Sequence, residues 1–175
     1  MITMAIREIR TYPDPVLRKR TDPVRSINGE IQKLIDDMVE TMHAAPGVGL
    51  AANQVGVPLQ VTVIDLSTRD DESLRHPLVV LINPEIIAAE GSITEEEGCL
   101  SIPECSEKVK RALKVTVKAL DRTGKPFELT ADGLMAKALQ HEIDHLNGLL
   151  FIDRLSPLKK DFYKRKYRKT ALQKA

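Results

Sequence analysis

Gln140-His141-Glu142-Ile143-Asp144-His145 sets two of the chain's four histidines four positions apart, with a glutamate directly after the first. On an α-helix, residues i and i+4 share a face. Two imidazoles placed in this way can hold one metal ion, with the neighbouring carboxylate left to handle protons. A catalytic centre of this kind takes three protein ligands and keeps a fourth position open. The third ligand must therefore come from elsewhere in the chain.

The surrounding residues support a helix. Thr130 or Asp132 can cap its N-terminus and Gly148 can stop it. Met135, Leu139, Ile143 and Leu146 recur at helical spacing and predict one buried face. Leu134, Ala138, His141 and His145 form a second stripe, which predicts an apolar wall beside any metal. Cys99, in Glu95-Glu96-Glu97-Gly98-Cys99-Leu100-Ser101-Ile102-Pro103, taken by itself reads as a small buried hydrophobe. Set beside the paired histidines, its thiolate would complete a Cys-His-His set. Cys105, six residues on, is expected to be a bystander.

Earlier in the chain, Asn28 can cap a helix in which Ile31, Leu34, Ile35, Met38 and Met42 recur at helical spacing, ended by Pro46-Gly47. His43 is expected to be exposed and without a role, and His76 incidental in a solvated loop. Gly47-Val48-Gly49-Leu50-Ala51-Ala52-Asn53-Gln54 has glycines that let a backbone approach a ligand closely, or make a tight turn into a small-residue packing site. It lacks the Lys-Ser/Thr ending and the spacing of a phosphate loop. Segments 60–66, 78–83, 85–95, 107–110, 113–120 and 125–130 read as strands. The expected fold class is α+β, with antiparallel sheets packed around a central metal-binding helix, an N-terminal helix and a C-terminal helix.

The chain has 175 residues, 42% hydrophobic and 29% charged, which fits one globular domain. No apolar run of about 18 residues predicts a membrane span, and the first residues lack the layout of a secretion signal. Two cysteines do not make a disulfide framework, so a reducing cytoplasm is expected. The net charge of +1 conceals an asymmetry. Residues 156–175 carry eight Lys or Arg against Asp161, while residues 1–155 carry 18 basic and 24 acidic groups. Residues 1–155 are read as a single catalytic metallohydrolase domain, and 156–175 as a basic helix opened by Ser156-Pro157. Leu158, Phe162 and Leu172 would form its apolar line. Its cations read either as a solvated face or as a docking site for ribosomal RNA.

Three stretches, Gly47–Gln54, Glu97-Gly98-Cys99-Leu100-Ser101 and Gln140–His145, together resemble the signature motifs of peptide deformylase. The resemblance extends over nearly all of residues 5–155. It implies a cytoplasmic enzyme that removes the formyl group from the N-terminal formyl-methionine of new polypeptides and does not engage a membrane. Matched by position, it implies Cys99, His141 and His145 as metal ligands and Glu142 as proton shuttle. Gln54 through its side-chain amide and Leu100 through its backbone N–H would hold the formyl oxygen. Val48, Gly49, Leu50, Leu134 and Ala138 would line the peptide site. Ligand type alone favours Zn. The resemblance implies one divalent ion, Fe(II) in the cell, with Zn, Ni or Co able to substitute.

Two positions depart from commoner family patterns. Glu104 and Cys105 follow Pro103 where many relatives have glycine, and Lys137, one turn before His141, stands where the position is often apolar. The Lys137 ammonium is expected to reach past the pocket rim to solvent. A pairing of Glu97 with Arg111 would steady the Cys99 segment. Two other classes share parts of this pattern. A general metallopeptidase takes its third ligand from a downstream His or Glu, but no histidine follows His145. A non-enzymatic metal or RNA-binding domain leaves the glutamate between the two histidines unexplained. The Leu134/Ala138 slot suits an unbranched, polarisable methionine side chain. Turnover should therefore depend strongly on the first side chain and weakly on later ones, and comparable rates on formyl-Met and formyl-Asp peptides would contradict this.

Overall fold

A computed structural model of the chain describes residues 5–67 and 77–174. The expectation for His76 lies outside the described residues. Helix α1 (Gly29–Ala44) starts where Asn28 accepts a hydrogen bond from the Ile31 N–H, at 3.1 Å. Five strands, β1 (Gly49–Ala51), β2 (Val61–Ile64), β3 (Val79–Glu90), β6 (Lys114–Leu120) and β7 (Pro126–Asp132), form one antiparallel sheet in the order β1-β2-β3-β6-β7. Two others, β4 (Ile93–Cys99) and β5 (Ile102–Arg111), pair only with each other as a hairpin.

Helix α2 (Gly133–Leu146) packs across the larger sheet and buries Met135, Leu139, Ile143 and Leu146, the face its periodicity predicts. Asp132 occupies its N-cap position without a side-chain capping bond. Met135, Leu139 and Ile143 meet Ile64, Leu81, Val115 and Val117. The apolar face of α1 covers the same sheet's β1–β2 end, against Leu50, Val61 and Val63. The fold is therefore α+β, with the histidine-bearing helix packed on the larger sheet.

The strand boundaries differ from expectation around Pro84. Separate strands at 78–83 and 85–95 were expected, and proline cannot donate to a ladder. Instead β3 continues through it: Asn83 takes φ 53° and the register with β6 shifts between Ile82 and Glu85, so the missing N–H falls at a bulge. The Asn83 side chain anchors the irregularity to Val24, accepting from its N–H at 2.8 Å and donating to its carbonyl at 3.0 Å. The chain then turns at Gly91 and Ser92, and a separate strand brings Cys99 to its C-terminal end.

Helix α3 (Pro157–Lys174) also departs from expectation. Leu158, Phe162 and Leu172 are exposed, and Tyr167 is the buried residue, in a cluster with Tyr12, Leu17, Ile102, Leu150 and Phe151. A long phenol buries its ring while its hydroxyl reaches a polar partner, which an aliphatic line could not do at a polar hairpin edge.

Candidate metal centre and cleft

The cluster forms where the hairpin meets α2. Ligand atoms of Cys99, His141 and His145 all lie within 4.8 Å of one another, and the Cys99 sulfur is 3.2 Å from His145 Nε2. A tetrahedral ion bonded to sulfur at ~2.3 Å and nitrogen at ~2.0 Å would hold its ligand atoms roughly 3.5 Å apart. The donor set, one soft sulfur and two imidazoles, suits a first-row divalent ion. His145 is buried and its Nδ1 has no hydrogen-bond partner. Burial, reinforced by the neighbouring His141, pushes its pKa well below the ordinary value, so it is neutral as a ligand must be. His141 is drawn the other way: burial lowers it, but hydrogen bonds with the Cys99 sulfur and Glu97 outweigh that. A cation in place of that proton would face the same sulfur and the His141–Glu97 pair.

Neighbouring groups orient these ligands. His141 Nδ1 lies 2.8 Å from Glu97 Oε1 and can donate to it, which leaves Nε2 facing the cluster. The Asn53 side-chain amide donates to the His145 carbonyl at 2.6 Å. Gln54 Oε1 accepts from the Ala51 N–H at 2.9 Å, so its NH2 is aimed inward, 3.0 Å from Ser101 Oγ and 3.7 Å from the Cys99 sulfur. The Ser101 N–H points at the same sulfur from 3.4 Å.

Glu97 in turn is fixed by Arg111, whose Nε and NH2 donate to its two oxygens at 2.8 and 2.9 Å. The expected pairing is present, and it extends further. The third arm of Arg111 reaches Asp144 at 2.6 Å, and Arg154 holds Asp144 from outside at 2.7 Å. Burial alone would raise the Glu97 carboxyl, but the Arg111 and His141 hydrogen bonds outweigh it and hold its pKa at about 2. Arg111 was singled out only as a partner of Glu97, and Asp144, Ser101 and Asn53 received no role from the sequence. The only available signal for the first two was their charge at positions within otherwise buried strand and helix faces.

Glu142 sits against β1. A Cβ on Gly49 would lie 2.7 Å from Glu142 Oε1, so only glycine leaves room for the carboxylate there. Gly49 thus clears space for a side chain of the protein itself. Glu142 Oε2 is buried without a partner, and burial pushes the carboxyl up to about 7.

The cluster opens into a cleft of about 630 Å³ whose walls include Val48, Gly49, Leu100, Leu134 and Ala138. Leu50 does not share in it. Strand alternation turns its side chain into the α1 core with no exposed surface, so only its backbone could serve a peptide-binding edge. Lys137 is on the cleft wall, but its ammonium is not free in solvent as expected: it donates to the Glu96 carbonyl at 2.5 Å and lies 3.7 Å from Glu95. Cys105 is buried beside Tyr163 and Tyr167. His43 is exposed as expected, yet its Nε2 lies 2.8 Å from Asp65.

A family model described as "Polypeptide deformylase" matches residues 6–161. The chain belongs to that family. It is 57% identical over 166 residues to a peptide deformylase of Syntrophobacter fumaroxidans, covering 95% of this chain and 96% of that one. A solved peptide deformylase from Legionella pneumophila superposes with a TM-score of 0.86 at 51% identity, covering 97% of this chain and 98% of that one. One from Ehrlichia chaffeensis, in complex with actinonin, gives 0.87 at 39% identity over 95% and 98% of the two chains.

Replacing Arg111 with Met would strand two buried carboxylates. The Arg111→Met protein should lose about 3–5 kcal/mol of stability and at least about tenfold in metal affinity. Calorimetry and metal titration check this, and an unchanged melting temperature with full metal content would refute it.

Proposed function

We infer that the chain is a metal-dependent formamide hydrolase of the cytoplasm, which removes the formyl group from the N-terminal formyl-methionine of new polypeptides and releases formate. The observation that carries this is the convergence of Cys99, His141 and His145 with the buried Glu142 carboxylate in one cleft. Cys99, His141 and His145 are the residues that would hold the ion. A divalent cation there supplies Lewis acidity, which lowers the pKa of bound water from 15.7 towards about 7.

The chain's own groups do the rest. Glu142, confined against Gly49, takes a proton from the attacking water and hands it to the departing peptide amine. The Gln54 NH2 and the Leu100 N–H hold the formyl oxygen as negative charge develops on it; each such donor is typically worth about 3–4 kcal/mol. Leu134 and Ala138 form the wall for the methionine side chain. Val48 and Gly49, at the free edge of β1, offer backbone hydrogen bonds to an extended peptide, an interaction that ignores sequence. Leu50, whose side chain is in the core, would contribute to that edge through its backbone alone.

The test of this assignment is Glu142→Gln. It should keep its metal while formate release from formyl-Met peptides falls at least about 10²-fold; retained turnover sinks the shuttle role. The ion held in the cell is proposed to be Fe(II), whose thiolate ligand Cys99 is open to oxidation. Protein purified in air should then lose activity unless Ni or Co replaces the iron, and full, stable activity of a zinc-only preparation would argue against iron.

No helix among the described residues is long and apolar enough to cross a membrane. The outward face of α3, with exposed Arg165, Arg168 and Lys169, is proposed to dock on ribosomal RNA, close to where formylated chains emerge. The Arg168→Glu/Lys169→Glu protein should co-sediment less with ribosomes at low salt, and undiminished co-sedimentation would dispose of that role.

A further inference from the structure

The mouth of the cleft is built differently from its floor. The floor is the buried or half-buried set His141, Glu142, Leu134 and Ala138, whereas Pro103, Glu104 and Ser106 on β5 line the cleft while remaining exposed. A peptide whose formyl end reaches the metal cluster must leave past this segment, so residues after the first meet it.

The segment is not self-supporting. Glu104 has φ 62°, a left-handed conformation that strains a side-chain-bearing residue and persists only where the surroundings hold it. The surroundings here come from α3. The Tyr167 hydroxyl donates to the Pro103 carbonyl, the peptide group directly before Glu104, at 2.5 Å. Directly after Glu104, Cys105 is buried against Tyr163 and Tyr167. One turn further along β5, Glu107 uses both carboxylate oxygens on the same helix: Oε1 accepts from the Tyr163 hydroxyl at 2.6 Å and Oε2 from Lys159 at 2.9 Å. At the other end of the segment the Tyr12 N–H donates to the Ser101 carbonyl at 2.8 Å, and the Tyr12 ring packs edge-on to Tyr167 with centroids 6.0 Å apart.

We propose that Tyr167, seconded by Tyr163, is a positioning residue for the peptide substrate: by gripping Pro103 and Glu107 it sets the Pro103–Ser106 wall at the height where residues two and three of the formyl-peptide bind. The helix read from sequence as an appended basic tail is thereby part of the peptide site. The hydroxyl groups of both tyrosines are engaged by Pro103 and Glu107 rather than by Cys99, His141 or His145, so they take no direct part in the chemical step. This rests on the deformylase reading above, and the substrates of the test separate the two.

Full-length, metal-loaded wild type, Tyr167→Phe and Tyr163→Phe/Tyr167→Phe would be assayed for formate release from N-formyl-methionine amide and from formyl-Met-Ala-Ser amide, with melting temperature and metal content measured in parallel. Phenylalanine keeps the ring packing and removes only the donor. The expected result is a rise of about two- to tenfold in KM for the tripeptide, kcat unchanged, with kcat/KM for formyl-methionine amide unchanged. A loss shared equally by both substrates would mean a merely structural role and overturn the proposal, as would wild-type kinetics on the tripeptide in the double variant. Wild type inactive on both substrates would refute the deformylase reading and take this proposal with it.

Discussion

The Arg111 guanidinium, buried between Glu97 and Asp144, is the contact on which the geometry of the centre depends. A two-stranded hairpin has little stability by itself, and here it carries the Cys99 sulfur while α2 carries both imidazoles. Arg111 stands on the hairpin's second strand, grips Glu97 on its first, and reaches across to Asp144 on α2. Its rigid fork engages one carboxylate bidentately and a second with its remaining arm, which a lysine could not do. A buried ion network contributes little net stability when intact, because desolvation offsets the attraction. What it does here is fix the relative position of two elements, and so of three ligand atoms.

From that joint the proton chemistry of the site follows. Glu97 spends one oxygen partly on His141, so the orientation of the first imidazole derives from the same network. Glu142, one residue along, points the other way, into the space that Gly49 leaves open. The two carboxylates lie in one cleft with opposite environments. Glu97, ringed by donors, is held as an anion at about 2, while Glu142, buried with an unpartnered oxygen, is raised to about 7. Environments that separate two carboxylates in this way suit one to orienting a neighbour as an anion and the other to the proton transfer proposed for Glu142.

The C-terminal helix extends the same logic to the cleft mouth. Its inward face is two tyrosines and a lysine, fastened to β5; its outward face is cationic and carries the exposed Leu158 and Phe162. A charge count along the chain separates this helix from the acidic body, yet its contacts join it to the strand that walls the cleft.

Local sequence determined what depends on short-range periodicity. The faces of α1 and α2, the Asn28 cap and the pairing of His141 with His145 were legible because 3.6-residue spacing and capping chemistry act within a few residues. Cys99 as a partner for the histidines was suggested by donor chemistry and by motif resemblance, since nothing local distinguishes a ligand thiol from a buried one. Tertiary structure alone decided which side of β1 Leu50 faces, how β3 passes Pro84, where Lys137 ends, and which residues of α3 pack inward. Each of these depends on a partner far along the chain: the sheet's alternation against α1, the Asn83–Val24 anchor, the Glu96 carbonyl, and the carboxylate of Glu107. Glu97 shows the boundary most clearly. Its pairing with Arg111 could be guessed from charge. The junction with Asp144 and His141 exists only because folding brings a hairpin and a helix together in a space too dry for any of those charges to stand alone.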